Sequence, residues 1–233
     1  SKSPVCIRRF LVFDRIGTCA LNGSPCCRYC YRSRFDGDYG GVQIDVNRTV
    51  GEEFDLDVVE QETVLRASSA VLAADGFETI ECLTMVDVMR RGGVRATLVS
   101  IMPTREIVSS LQIPVTCDAL FDEINFDEYD CVGLPGGLPG ATNLRAAQRV
   151  CDVVCEFAAT KHVAAICAAP FILGELDLLE GRHATCFPGF EKSFPEGAYT
   201  GDKVTHDGNI ITASGMAQSL PFALELLRTL AGD

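Results

Sequence analysis

From Leu65 onward, short apolar runs of strand length alternate with longer amphipathic stretches of helical length. That alternation restricts the chain to an α/β architecture, a parallel sheet with helices packed on both faces. Ser68-Ser69-Ala70-Val71-Leu72-Ala73-Ala74 reads as a buried strand, ended by the turn Asp75-Gly76. A helix is predicted over 78–91, because Cys82, Met85, Val86 and Met89 recur at i, i+3, i+4 and i+7, and Gly92-Gly93 stops it. Strands follow at 94–100 and 130–134, the second closed by Pro135-Gly136-Gly137. A helix at 141–159 buries Leu144, Ala147, Cys151, Val154 and Ala158, and the strand 163–166 runs straight into Cys167. Asp207-Gly208 signals a hairpin ahead of a strand at 209–212, and a last helix covers 217–230.

The region before Leu65 has a different character. Residues 1–34 carry seven Lys/Arg, one acidic residue and five cysteines, whereas 35–62 carry one Arg and nine Asp/Glu. Neither part sustains a helical or strand period, so residues 1–64 read as a partly ordered extension and 65–233 as the domain. Cys26, Cys27 and Cys30 are spaced for metal, but a structural zinc wants a second ligand pair, and the three histidines lie far along the chain. No metal is expected. The Arg-rich first part has the composition of an organelle-targeting segment, which the acidic part after it does not share.

A net charge of −12 repels phosphate backbones and anionic lipid, so neither nucleic acid nor membrane is an expected partner. No apolar run reaches the ~20 residues that span a bilayer. Twelve cysteines scattered over 233 residues, with no recognisable signal peptide, suggest mostly free thiols in a reducing, cytoplasmic setting.

Ligands of open α/β sheets bind beyond the carboxyl ends of the strands, where Asp75-Gly76, Pro135-Gly136-Gly137 and Cys167-Ala168 are all predicted to lie. Cys167 sits between an apolar strand and the helix start Ala168-Ala169-Pro170. A thiol in such a nucleophile elbow is exposed and faces a helix N-terminus, which predicts a depressed pKa. Gly136 and Gly137 let backbone amides approach a bound anion and, with the Ala168 amide, could form an oxyanion hole. Glu81, in the first turn of the helix after Gly76, is the candidate proton carrier if it points across to Cys167. No phosphate loop or dinucleotide fingerprint is present, and no cofactor is expected.

Four segments together carry a resemblance. They are Ala74-Asp75-Gly76-Phe77-Glu78-Thr79-Ile80-Glu81, Val86-Asp87-Val88-Met89-Arg90-Arg91-Gly92-Gly93-Val94, Tyr129-Asp130-Cys131-Val132-Gly133-Leu134-Pro135-Gly136-Gly137 and Ala164-Ala165-Ile166-Cys167-Ala168-Ala169-Pro170. In order and spacing they resemble the DJ-1/ThiJ/PfpI superfamily, most of all its DJ-1 branch, over about 66–232. The resemblance implies a flavodoxin-like fold and a homodimer. It implies Cys167 as the reactive thiol, Glu81 as its carboxylate, and amides at Gly137 and Ala168. It also implies cofactor-independent action on α-oxoaldehydes or glycated groups, of the glyoxalase or deglycase type. The alternative is an oxidative-stress sensor or redox-regulated chaperone working through Cys167 oxidation. Departures bear on the substrate. Ala168 stands where family peptidases carry histidine, so a peptidase is not expected. Phe187 replaces a histidine of some members, Leu111 a pocket arginine, and Met216-Ala217-Gln218-Ser219 the usual Gly-Pro-Gly-Thr.

Overall fold

The computed structural model describes residues 67–232, together with two short strands, β1 (Ala20–Leu21) and β2 (Ser24–Pro25), paired antiparallel. The chain divides into two units after Phe54, with β1 and β2 in the first and all that follows in the second. The rest of the expected extension, including Cys26, Cys27 and Cys30, lies outside the described residues.

The second unit runs β3 (Ser68–Ala73), α1 (Thr79–Arg91), β4 (Arg95–Ser100), β5 (Glu106–Val108), β6 (Pro114–Thr116) and β7 (Ala119–Leu120). It continues with β8 (Cys131–Leu134), α2 (Gly140–Ala146), α3 (Gln148–Thr160), β9 (His162–Ile166) and α4 (Pro170–Glu175). The chain then closes with β10 (Val204–Asp207), β11 (Ile210–Ala213) and α5 (Ser219–Ala231). Seven strands form one sheet in the order β10-β11-β9-β8-β3-β4-β7. Every pairing is parallel except the β10–β11 hairpin. β5 and β6 form a separate antiparallel pair.

The period of two along the inner strands builds two cores. On β3, Ala70 and Leu72 enter one core and Val71 and Ala73 the other. On β9, Val163 and Ala165 separate from Ala164 and Ile166 in the same way. Leu144, Val154, Phe157 and Ile172 of α2, α3 and α4 cover the first face; Cys82, Met85, Met89, Phe222 and Leu226 of α1 and α5 cover the second. Strands buried on both sides read as continuous apolar runs, which is how 70–73 and 163–166 read in the sequence. Each large side chain buried completely, Phe157 or Phe222 for example, contributes roughly 1.5–3 kcal/mol.

One expectation is corrected. The helix predicted at 141–159 is two helices, broken at Ala147, whose backbone is extended at φ −84 and ψ 101. No Gly or Pro marks the break. The Cys151 thiol donates to the Arg145 carbonyl at 3.2 Å and so satisfies an acceptor left open where α2 ends. The tertiary contact overrides a sequence that favours helix throughout.

Chain order places the site. From β3 the chain moves to β4 and β7 on one side, then returns to β8 and β9 on the other. The carboxyl ends of β3, β8 and β9 therefore flank a topological switch point, where such sheets form their clefts.

Candidate active site

Cys167 directly follows β9 and takes φ 63, a left-handed conformation rare for a residue with a side chain. The backbone is held on both sides: its N–H donates to the Ala213 carbonyl at 2.8 Å, and its carbonyl accepts from Phe187 N–H at 2.7 Å. The next strand and the next loop thus fix the elbow and stabilise its strain. The thiol is partly exposed, while Ala168 and Ala169 are buried. α4 begins at Pro170 with proline at its N-terminus and is only six residues long.

Glu81 is fully buried. It is positioned by Glu78, which caps α1 by accepting Glu81 N–H at 2.7 Å. One carboxylate oxygen, Oε2, accepts the Gly136 N–H at 2.9 Å, and Oε1 has no partner among the described residues. The Glu81 carboxyl faces the Cys167 thiol, and the amides of Ala168 and Gly137 are directed at the sulfur. Gly136 and Gly137 are required by space. A Cβ on Gly136 would lie 2.7 Å from both Cys167 Cβ and Glu81 Oε2, and one on Gly137 2.4 Å from the Glu78 nitrogen.

Five residues singled out from the sequence, Glu81, Gly136, Gly137, Cys167 and Ala168, therefore meet at one place. Two expectations change. The Gly136 amide is directed at Glu81 and not at substrate space, so of the two glycines only Gly137 offers an N–H to the sulfur. The Cys167 thiol is pushed up to about 12, not down, by burial and then by the facing Glu81 carboxylate, against the pull of the Ala168 and Gly137 amides. Two residues separate Cys167 from a helix of only six residues, and the dipole there cannot outweigh a buried carboxylate.

Glu81 is displaced the complementary way. Burial raises it to about 7 and Glu78 adds to the rise, while the bonds from Cys167 and the Gly136 amide pull it down. The two groups titrate as a pair. One proton leaves the pair at about 7, and the other is held there well above the ordinary thiol range. A thiolate facing a protonated Glu81 is one of the two arrangements of that proton. Alkylation of Cys167 by iodoacetamide, followed by peptide mass mapping, should therefore rise through about pH 7, flatten, and rise again towards about 12. A single step near the ordinary thiol value of 9.0 would mean that sulfur and carboxyl ionise independently.

Residues not anticipated also belong here. Gly215, two residues beyond β11, is buried, and a Cβ on it would lie 3.9 Å from Cys167 Sγ and 3.3 Å from the Phe187 ring. It occupies the fourth strand end at the site, and the small residues Ala213-Ser214-Gly215 after an apolar run were the signal for it. Phe187 lies at the mouth. Leu111 is exposed in the loop between β5 and β6, and Met216–Gln218 forms a single 3₁₀ turn leading into α5. The histidines lie elsewhere: His183 and His206 bond Asp207 and Glu225. Among the described residues no His/Cys/Asp/Glu group is arranged to hold a metal, and no helix is long and apolar enough to cross a membrane.

A doubly wound sheet with a strained elbow cysteine, a buried carboxyl and two amides on the sulfur defines a class of cysteine-centred α/β proteins. The family profile of DJ-1/PfpI matches residues 67–229, and the chain belongs to the DJ-1/PfpI family. It is 34% identical over 167 residues to the Parkinson disease protein 7 homolog of Danio rerio, covering 70% of this chain and 88% of that one. It is 32% identical over 161 residues to the protein DJ-1 homolog B of Arabidopsis thaliana, covering 68% of this chain but only 37% of the plant protein. The chain thus spans less than half the length of that relative. Among solved structures, Toxoplasma gondii DJ-1 in its oxidized form superposes with a TM-score of 0.69 at 30% identity, over 71% of this chain and 91% of that one.

Proposed function

We propose that this DJ-1-like protein is a cofactor-independent enzyme acting on α-oxoaldehydes such as methylglyoxal, or on the early glycation adducts they form. The observation that carries this reading is the buried Glu81 carboxyl set beside Cys167 at the strained elbow, both within 2.7 Å of one Cβ position on Gly136. The Cys167 thiolate adds to the aldehyde carbon, and the Glu81 proton goes to the new alkoxide, giving a hemithioacetal. Glu81 then takes the proton from that carbon, and the neighbouring ketone carbon receives one. The first carbon is oxidised to a thioester and the second reduced to an alcohol. Water cleaves the thioester, releasing the 2-hydroxy acid and the free thiol. Atoms and electrons balance with water as the sole co-reactant.

The test is steady-state formation of lactate from methylglyoxal by the purified chain. Turnover is expected in the wild type and is expected to fall to the uncatalysed rate in Cys167→Ser. No lactate from the wild type, or equal rates in both, would overturn the proposal.

A second reading, a redox sensor or redox-regulated chaperone, is favoured by the unpartnered Glu81 Oε1 in the buried site. A protonated carboxyl there could donate to an oxygen on a sulfinic sulfur. The Toxoplasma gondii neighbour is described as oxidized. Dose-dependent gain of two oxygens on Cys167 under peroxide, without any lactate from methylglyoxal, would favour this reading. We also read the protein as a homodimer of a reducing compartment. The half-exposed apolar side chains Ile80, Leu83, Leu220 and Leu224 of the mutually packed helices α1 and α5 suit a second copy.

A further inference from the structure

We infer that Phe187 makes the mouth of the Cys167 site select carbonyl compounds that carry a flat apolar group beside the reacting carbon, aryl glyoxals above methylglyoxal. The inference deepens the proposed function and rests on that reading for turnover, though not for recognition.

Phe187 is tied to the nucleophile through its backbone, donating N–H to the Cys167 carbonyl at 2.7 Å. Its neighbour Cys186 is buried completely, so the chain is anchored immediately before the ring. The ring itself stays 49% exposed. Gly215 stands between ring and sulfur: the point where its Cβ would be is 3.3 Å from Phe187 Cδ2 and 3.9 Å from Cys167 Sγ. With no side chain at Gly215, the aromatic ring and the nucleophile face the same Cβ position from two sides. A group bonded to a carbon that the sulfur attacks can lie against that ring. Two more half-exposed apolar residues adjoin the site in sequence, Leu138 after Gly137 and Met216 after Gly215.

An exposed aromatic face beside a reacting centre favours substrates that can cover it. A planar aryl group removes apolar surface from water and stacks in offset or edge-on geometry. A methyl group covers little of the ring, and a hydrated glyoxal none. Hydrophobic discrimination of this kind is worth one to two orders of magnitude, more for larger differences in contact.

The test uses two pairs of probes on the purified full chain. The first pair needs no turnover: phenacyl bromide and bromoacetone each place a carbonyl-activated CH₂ in front of the thiol. Sulfur forms the S–C bond, bromide leaves and the thiol proton passes to solvent. Second-order labelling rates at Cys167, each divided by the rate with free cysteine, give an aryl-to-methyl ratio, with Cys167→Ser as the control for site. The ratio is expected to be at least about tenfold in the wild type, to fall to near one in Phe187→Ala, and to take an intermediate value in Phe187→Leu. The second pair, phenylglyoxal and methylglyoxal, is compared by kcat/KM in the same proteins. A wild-type labelling ratio near one, or a high ratio unchanged in Phe187→Ala, overturns the inference whatever the turnover. A high, Phe187-dependent labelling ratio with no turnover of either glyoxal upholds selection at the mouth and overturns the enzymatic reading instead.

Discussion

Glu81→Gln is expected to flatten the pH dependence of stability and to abolish most turnover while leaving Cys167 alkylable. The folded chain holds the Glu81 proton up to about pH 7, whereas the unfolded chain releases it near 4.5. Between those values the folded state binds more protons, so stability falls as pH rises and levels off above about 7. The shift corresponds to roughly 3 kcal/mol lost across the window. Glutamine cannot ionise, so its melting temperature should stay nearly constant where that of the wild type declines, and the variant should be the more stable protein at pH 8. Its amide oxygen can still accept Gly136 N–H, and its NH₂ can still donate to sulfur. What is lost is the ability to move a proton, worth ~10²–10⁴ in rate. Thermal melts from pH 4 to 9 and lactate formation at neutral pH check both parts. Parallel melting curves for the two proteins would mean that Glu81 is ionised in the fold; unchanged turnover would make it a spectator.

Gly137→Ala is expected to be the most damaging single methyl group at the site. The residue adopts φ +85, where an alanine is strained by roughly 1–2 kcal/mol. Its Cβ would lie 2.4 Å from the Glu78 nitrogen and 2.6 Å from the Phe77 carbonyl carbon, both backbone atoms that no rotamer change can clear. Overpacking of this kind adds ~1–3 kcal/mol. A combined loss of about 2–5 kcal/mol in denaturant unfolding should follow. The turn that brings the Gly137 amide to the sulfur must also shift, so turnover should drop even where the variant is fully folded. A stability loss below about 0.5 kcal/mol, the ordinary surface range, would contradict the close approach of β8's turn to the start of α1.

Much of this site was legible because its parts end strands. Asp75-Gly76, Pro135-Gly136-Gly137 and Cys167 each follow an apolar run, and parallel strands bring such ends together whatever their separation in sequence. The doubly wound class followed from the same runs, which are apolar on both faces. Other features depend on distances that no pattern encodes. The sign of the Cys167 shift turns on whether burial and a facing carboxylate outweigh two amides, and the sequence supplied only the helix start. The Gly136 amide could not be assigned until Glu81 Oε2 lay 2.9 Å from it. β5 and β6 went unread because each is three residues long and Pro114 begins the second. The break at Ala147 rests on the Cys151 thiol capping the Arg145 carbonyl, a tertiary contact inside a stretch of good helix formers.

The bond from Cys167 N–H to the Ala213 carbonyl has a consequence for how the protein would lose activity. That amide continues the β9–β11 ladder in the middle of the sheet, where hydrogens exchange with solvent only when the whole domain opens. The elbow should therefore open together with the sheet and not ahead of it. Heat should inactivate the protein along the global unfolding curve and not ahead of it, and the Cys167 amide should be among the slowest to exchange. Chemical damage to the sulfur would then silence the site without disturbing an otherwise intact fold.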